Sequence, residues 1–321
     1  MAENYIYAVA QIRSRELFQL NECVISQLTA CPGEEECLRI LSEKGWGDSG
    51  MSGEAMLRSE QKKTWALIRE LVPDRMDLFD VFRLPNDYHN LKAAIKESVI
   101  DGEHPGIFVE DGTVSARLLN EAMEQSDYDL LPENLRELAR EAKETLLTTR
   151  DGQLCDIIID RAALEAIREA GAKTKEKLLE DYGELICATG DIKIAVRCAR
   201  TGKSRQFIAR ALAPCSTIDT GSLTDAAAVG FDAICAYLDH TIYSDAVEEL
   251  KKSLAAFERW CDNRMIRTIK PEIHNPFGIG PLAAYILARD NEIKTVRIIL
   301  AAKRNNLPEE MLRERVREMY V

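Results

Sequence analysis

The feature that most constrains this chain is a helical hydrophobic period that recurs along nearly all of its 321 residues. Segments such as CLRILSEKG (37–45), ALIRELV (66–72), ENLRELAREAKETLL (133–147), RAALEAIREAG (161–171), AVEELKKSLAAFERW (246–260) and MLRERVREM (311–319) place apolar residues at i, i+3, i+4 and i+7. Acidic residues before these runs and basic ones after them suit the helix dipole. Boundary signals fall at Ser59-Glu60-Gln61, Pro132-Glu133 and Pro308-Glu309, and at Gly102, Gly171 and Gly202. Strand-like alternation is missing over any useful length, and even Ile157–Ile159 sits inside a helix-period run. The period predicts an all-α chain.

Internal repetition comes next, because a repeat fixes the architecture before any site does. Three segments align: NDYHNLKAAIKESVIDG, ATGDIKIAVRCARTG and ARDNEIKTVRIILAAKRN. They share Lys92, Lys193 and Lys294, spaced 101 residues apart. An apolar residue precedes each lysine (Leu91, Ile192, Ile293), and a polar one precedes that (Asn90, Asp191, Glu292). Each helix then runs on to a stop signal at Gly102, Gly202 or Asn306. The repeat predicts three helical domains, 1–105, 106–210 and 211–321, related by about 120° around a pseudo-threefold axis. The stripes Leu91/Ile95/Val99, Ile192/Val196/Ala199 and Ile293/Val296/Leu300 are the expected core faces. Beside them lie Lys92/Lys96 and Lys193/Arg197; the third unit departs, with Arg297 one residue early and Ile298 at the matching place. Local pairing with Asp87, Asp191 and Glu292 is the plain expectation for these cations. Gathered around a threefold axis, Lys92, Lys193, Arg197, Lys294 and Arg297 would instead seat an acidic or helix-C-terminal partner.

Charge and composition exclude several functions. Acidic side chains number 54 against 42 basic ones, a net −12, which argues against binding nucleic acid by counterion release. Aromatics at 6% give little surface for base stacking. No window approaches 18 uninterrupted apolar residues, so no membrane span is expected, and MAENYIYAVAQIRSREL predicts no secretion signal. Nine cysteines without a CxxC pair read as reduced, buried, cytosolic thiols. The four histidines (89, 104, 240, 274) lack HxxxH spacing, so no metal site is expected.

Three short motifs look chemical. Thr201-Gly-Lys-Ser204 has the end of a phosphate loop, but Arg197 stands where the first glycine is needed, so Gly202 reads as a helix stop. Gly278-Ile-Gly280-Pro-Leu-Ala283 follows His-Asn-Pro-Phe rather than a strand, and Pro281 fits a helix start. Gly47-Asp48-Ser49-Gly50 lacks any partner pattern for a serine nucleophile and reads as a linker. Asp77-Leu-Phe-Asp80 is a thin candidate for magnesium. No catalytic, cofactor-binding or metal residue is assigned.

Two stretches carry a family resemblance. Phe82-Arg83-Leu84-Pro85-Asn86-Asp87-Tyr88-His89-Asn90-Leu91-Lys92 resembles a first-domain signature of the C subunit (d in eukaryotes) of V-type and archaeal-type rotary ATPases. The run from Pro281 to Val321 is similar to that family's C-terminus, and GDIKIAVRCARTGK to its internal counterpart, with Asp191 where the family commonly has Asn. The resemblance implies an all-α funnel of three similar domains and a non-catalytic rotor adapter without a cofactor. It further implies a place between the central stalk (subunits D and F) and the membrane proteolipid ring. There the chain would transmit torque for proton or sodium transport, on the cytoplasmic face of the membrane and without spanning it. A generic helical scaffold is the alternative, although a solenoid would show units of 30–50 residues.

Overall fold

Every regular element among the described residues is a helix, as the period requires, and no strand occurs among them. The computed structural model describes residues 5–48, 50–99 and 106–321. Gly102, His104, Ser49 and the boundary expected near residue 105 lie outside them. No helix among the described residues is long and apolar enough to cross a membrane.

The three lysines sit on long helices, Asp80–Glu97, Lys177–Arg200 and Gly280–Arg304. The stripes face inward: Leu91, Ile95, Ile192, Val196, Ile293, Val296 and Leu300 are buried, with Val99 and Ala199 half-buried. Two of these helices end in the same way. Gly202 has φ 63°, its N–H reaches the Ala199 carbonyl, and the Lys203 N–H reaches that of Cys198. Asn306 has φ 52°, with its N–H on Lys303 and the Leu307 N–H on Ala302. This paired closure satisfies the last carbonyls of a helix through a left-handed residue.

Two boundary signals misled. Ser59-Glu60-Gln61 lies inside the helix Gly53–Leu71, which starts instead at Ser52, whose hydroxyl accepts the Ala55 N–H. Gly171 lies inside the helix Gly152–Thr174, which ends at Lys175 with φ 59°. Its missing side chain serves packing: a Cβ there would stand 2.4 Å from the Leu179 carbonyl oxygen. Across the same crossing, a Cβ on Gly183 would meet the Arg168 Cα at 3.0 Å. Periodicity carries no information about where another backbone comes close.

The chain divides into two compact units, one joining Met1–Met76 to Glu248–Val321 and the other spanning Asp77–Val247. In the first, Leu20, Leu28, Cys37, Leu41, Trp46, Met56 and Leu57 share a core with Ile293, Val296, Ile299, Leu300, Leu312 and Met319. The third lysine helix is therefore packed by residues from the opposite end of the chain. The second unit contains the first two lysine helices, and Tyr88, Leu91 and Ile95 pack there with Leu119, Met123, Leu135, Ala139, Cys155 and Ile159.

Gly171→Ala should destabilise the protein by about 1–3 kcal/mol, since the added methyl meets main chain that cannot step aside. Gly152→Ala, at an open position, should stay within about 0.5 kcal/mol of the parent. Denaturant midpoints of the two variants check the difference.

Candidate partner-docking site

The polar residue two places before each lysine is buried in all three repeats: Asn90 is 1%, Asp191 0% and Glu292 2% exposed. Each holds a main-chain amide. The Asn90 Oδ1 accepts the Val109 N–H at 2.9 Å while its Nδ2 donates to the Val109 carbonyl at 2.9 Å. The Asp191 Oδ1 accepts the Ala213 N–H at 3.0 Å. The Glu292 Oε1 accepts the Leu20 N–H at 2.6 Å. A side-chain-capped helix follows each clamped amide: Ala116–Gln125 behind Ser115, Thr220–Val229 behind Asp219, and Glu22–Ala30 behind Asn21. Lysine helix, clamped amide and capped helix thus recur three times. In the first two repeats the clamped segment lies 19 and 22 residues onward; in the third it lies 272 residues away, near the start of the chain. A forward alignment of the sequence does not reveal that wrap-around.

These anchors do not pair with the cations, contrary to the local pairing expected from spacing. Asp87 accepts the Val114 N–H and the Thr113 hydroxyl, and Asp191 and Glu292 are occupied by the amides above. The cations reach other helices instead. Lys92 pairs with Asp160 and Lys96 with Asp156, both on Gly152–Thr174. Lys294 pairs with Asp262 at 2.6 Å, and Arg297 with Glu54 at 3.3 Å. Lys193, half-buried, and Arg197, exposed, have no ion pair or side-chain hydrogen bond among the described residues. Of the five candidate docking residues, these two, one turn apart on one helix, are unengaged.

Glu292 also belongs to a buried charge network. Arg289 donates to its Oε2 and, at 2.6 Å, to the Glu60 Oε2, with the guanidinium 4.9 Å from the Trp46 ring centroid. The Glu60 Oε1 accepts the Gly47 N–H at 3.0 Å and the Lys63 ammonium at 2.7 Å. Burial pushes the Glu292 carboxyl up to about 7, outweighing the opposing pull of Arg289 and the Leu20 N–H. Glu60 has Lys63 as well as Arg289, whereas Glu292 has only a share of the one guanidinium, so its dehydration is only partly offset.

The motif readings resolve locally. Ser204 caps the helix Arg205–Ala211 through the Phe207 N–H at 3.2 Å. Lys203 donates to the Gln153 side chain and lies over the Phe207 ring. Pro281 occupies the first turn of Gly280–Arg304, behind Gly278 at φ 77°. Asp80 is 3.0 Å from Arg83. None of the nine cysteines, all among the described residues, forms a disulfide. One grouping was invisible in the spacing: Cys187, Asp191 and Cys215 bring potential ligand atoms together.

With the geometry in place, comparison with known proteins is specific. The ATP synthase (C/AC39) subunit family matches residues 8–315. The chain is 24% identical to the C subunit of a V-type sodium ATPase of Enterococcus hirae, covering 96% of this chain and 97% of that one. It is 22% identical to the C subunit of a V-type ATP synthase of Thermus thermophilus, over 98% and 99% of the two chains. The C subunit of an A-type ATP synthase of Methanocaldococcus jannaschii is 22% identical, over 96% and 85%.

The charge network makes stability depend on pH. A carboxyl raised in the folded state binds more protons there than when unfolded, so stability is greatest below the unfolded value and declines as pH rises toward about 7. Glu292→Gln keeps an acceptor for Leu20 and cannot ionise. Its stability relative to the parent should therefore improve between about pH 5 and about pH 8, read as the change in urea midpoint. A difference independent of pH would show that Glu292 ionises normally. Isothermal calorimetry with Mg²⁺ and ATP should show no binding lost on Lys203→Ala, because that lysine belongs to a helix-to-helix turn.

Proposed function

Because the chain belongs to the ATP synthase (C/AC39) subunit family, the C subunits of V- and A-type rotary ATPases, we propose that it is the non-catalytic rotor adapter of such a machine. In this reading it joins central-stalk subunits D and F to the membrane proteolipid ring. It passes torque between ATP chemistry and proton or sodium movement, on the cytoplasmic face of the cell membrane and without a cofactor. The observation that carries the reading is the family match across residues 8–315.

The threefold organisation belongs to the same proposal: domains 1–105, 106–210 and 211–321 around one axis. The recurring anchors at Asn90, Asp191 and Glu292 support it. Lys193 and Arg197 are the leading docking cations because docking would not first break an internal pair. Lys92, Lys294 and Arg297 would have to exchange Asp160, Asp262 and Glu54 for a partner's carboxylate. Exposed pairs of this kind contribute about 0–1 kcal/mol, so such exchange costs little and adds little affinity.

The full chain should co-purify with subunits D and F and with the ring; failure to bind any of them would overturn the adapter reading. Within it, the double variant Lys193→Ala, Arg197→Ala should slow association with stalk or ring by about tenfold at low salt, with the gap narrowing at high salt. Unchanged association with both partners would remove the docking role from these cations while leaving the adapter reading in place.

A further inference from the structure

Cys187 and Asp191 stand one turn apart on the helix Lys177–Arg200, and Cys215 lies between the helices Arg205–Ala211 and Thr220–Val229. The clamp described above brings them together. By accepting the Ala213 N–H, Asp191 draws this connecting segment against the helix, two residues before Cys215. The two sulfurs and a carboxylate oxygen consequently lie within 4.8 Å of one another.

The carboxylate is only half satisfied. Asp191 is 0% exposed, and its Oδ2 has no hydrogen-bond partner among the described residues. At the same repeat position, Asn90 puts an amide NH₂ where Asp191 has this second oxygen, and that NH₂ donates to a main-chain carbonyl. An ionised aspartate has no proton to offer, so its second oxygen calls for a proton or a cation. Burial accordingly pushes the Asp191 carboxyl up to about 8, with Arg161 opposing and Cys215 and Glu165 adding to the rise. The interaction between the two thiols pulls Cys215 below the usual thiol range and, together with burial, pushes Cys187 above it. Nearby Glu184 is occupied with the Ser216 and Thr217 N–H groups and the Thr217 hydroxyl.

We propose that Cys187, Cys215 and Asp191 form a binding site for a thiophilic divalent cation such as Zn²⁺. Tetrahedral coordination, with bonds of about 2.3 Å to sulfur and about 2.0–2.2 Å to oxygen, sets ligand atoms roughly 3.5–4 Å apart, within the spread of this group. The ion supplies the positive charge that Oδ2 lacks and takes both sulfurs as thiolates and Asp191 as a carboxylate, so the protons of all three groups leave to solvent on binding. Cys215 is only half-buried, which gives an entry path and leaves the fourth position to water. Bound there, the ion fastens the connector 212–219 to the second lysine helix.

The test uses the reduced, metal-stripped full chain titrated with Co²⁺ as a spectroscopic probe. One Co²⁺ per chain is expected, with a thiolate-to-cobalt charge-transfer band that Zn²⁺ displaces. Asp191→Asn keeps an acceptor for Ala213 and removes the anionic ligand; Cys215→Ser removes a thiolate at a half-buried position. Each should weaken the ion by at least about 10–100-fold, the range seen when even groups behind the ligands are lost, with an unchanged circular dichroism spectrum. Should Cys215→Ser not fold, Asp191→Asn decides alone on the same criterion. Absence of the charge-transfer band overturns the site. So does a band of equal affinity in the variants, which would place the ion on other cysteines such as Cys31 and Cys37.

Discussion

The hydrogen bond from the Leu20 N–H to the buried Glu292 carboxylate ties the two ends of the chain into one folded unit. It spans 272 residues, and what surrounds it depends on its geometry. The same carboxylate holds Arg289, Arg289 holds Glu60, and Glu60 holds the Gly47 N–H ahead of the helix Gly53–Leu71. A polar chain of this kind is costly unless every member is satisfied. Its value is positional, since an amide can be met in only a narrow range of directions, whereas apolar packing in the core that includes Leu28 and Leu300 tolerates sliding. Hydrophobic burial thus holds the unit together, and the carboxylate sets its register.

One repeat position meets the same task with three side chains, and the differences follow from donor and acceptor counts. Asn90 both accepts and donates, so it closes on Val109 without charge. Glu292 only accepts, and the surplus charge is met by a buried arginine. Asp191 only accepts as well, but no cation among the described residues touches its second oxygen. The backbone requirement is common to all three; the electrostatic consequence is particular to each. Burial pushes the two carboxyl anchors far above the ordinary carboxylate range, while the third has nothing to titrate.

How much of this was legible in the sequence divides along the range of the interaction. Helices, their apolar stripes and the stops at Gly202 and Asn306 are local, and period and left-handed capping expose them. The polar residue two before each lysine was visible as a pattern, but its role was not, because Val109, Ala213 and Leu20 are identified by a backbone amide and not by a side chain. Gly171 shows the same limit: the reason for the missing Cβ lies on another helix, at Leu179. The Cys187–Asp191–Cys215 grouping stayed hidden since the second cysteine arrives from beyond an intervening helix.

Pairing of the cations follows the same division and decides what can be asked of them. Spacing along a helix puts Lys92, Lys193 and Lys294 in one register, but a partner on another helix determines whether each is available. Asp160 stands opposite the first; Asp262 stands opposite the third but is shared with Arg317; nothing comparable among the described residues stands opposite the second. A lysine already in an ion pair presents a nearly neutral dipole to an approaching carboxylate, and its long-range attraction is correspondingly weak beyond one Debye length. Lys193 and Arg197 have no ion pair among the described residues, on a protein whose net charge is −12. Sequence symmetry among the three lysines therefore conceals a difference in pairing: one carboxylate to itself at Lys92, one shared with Arg317 at Lys294, and none among the described residues at Lys193.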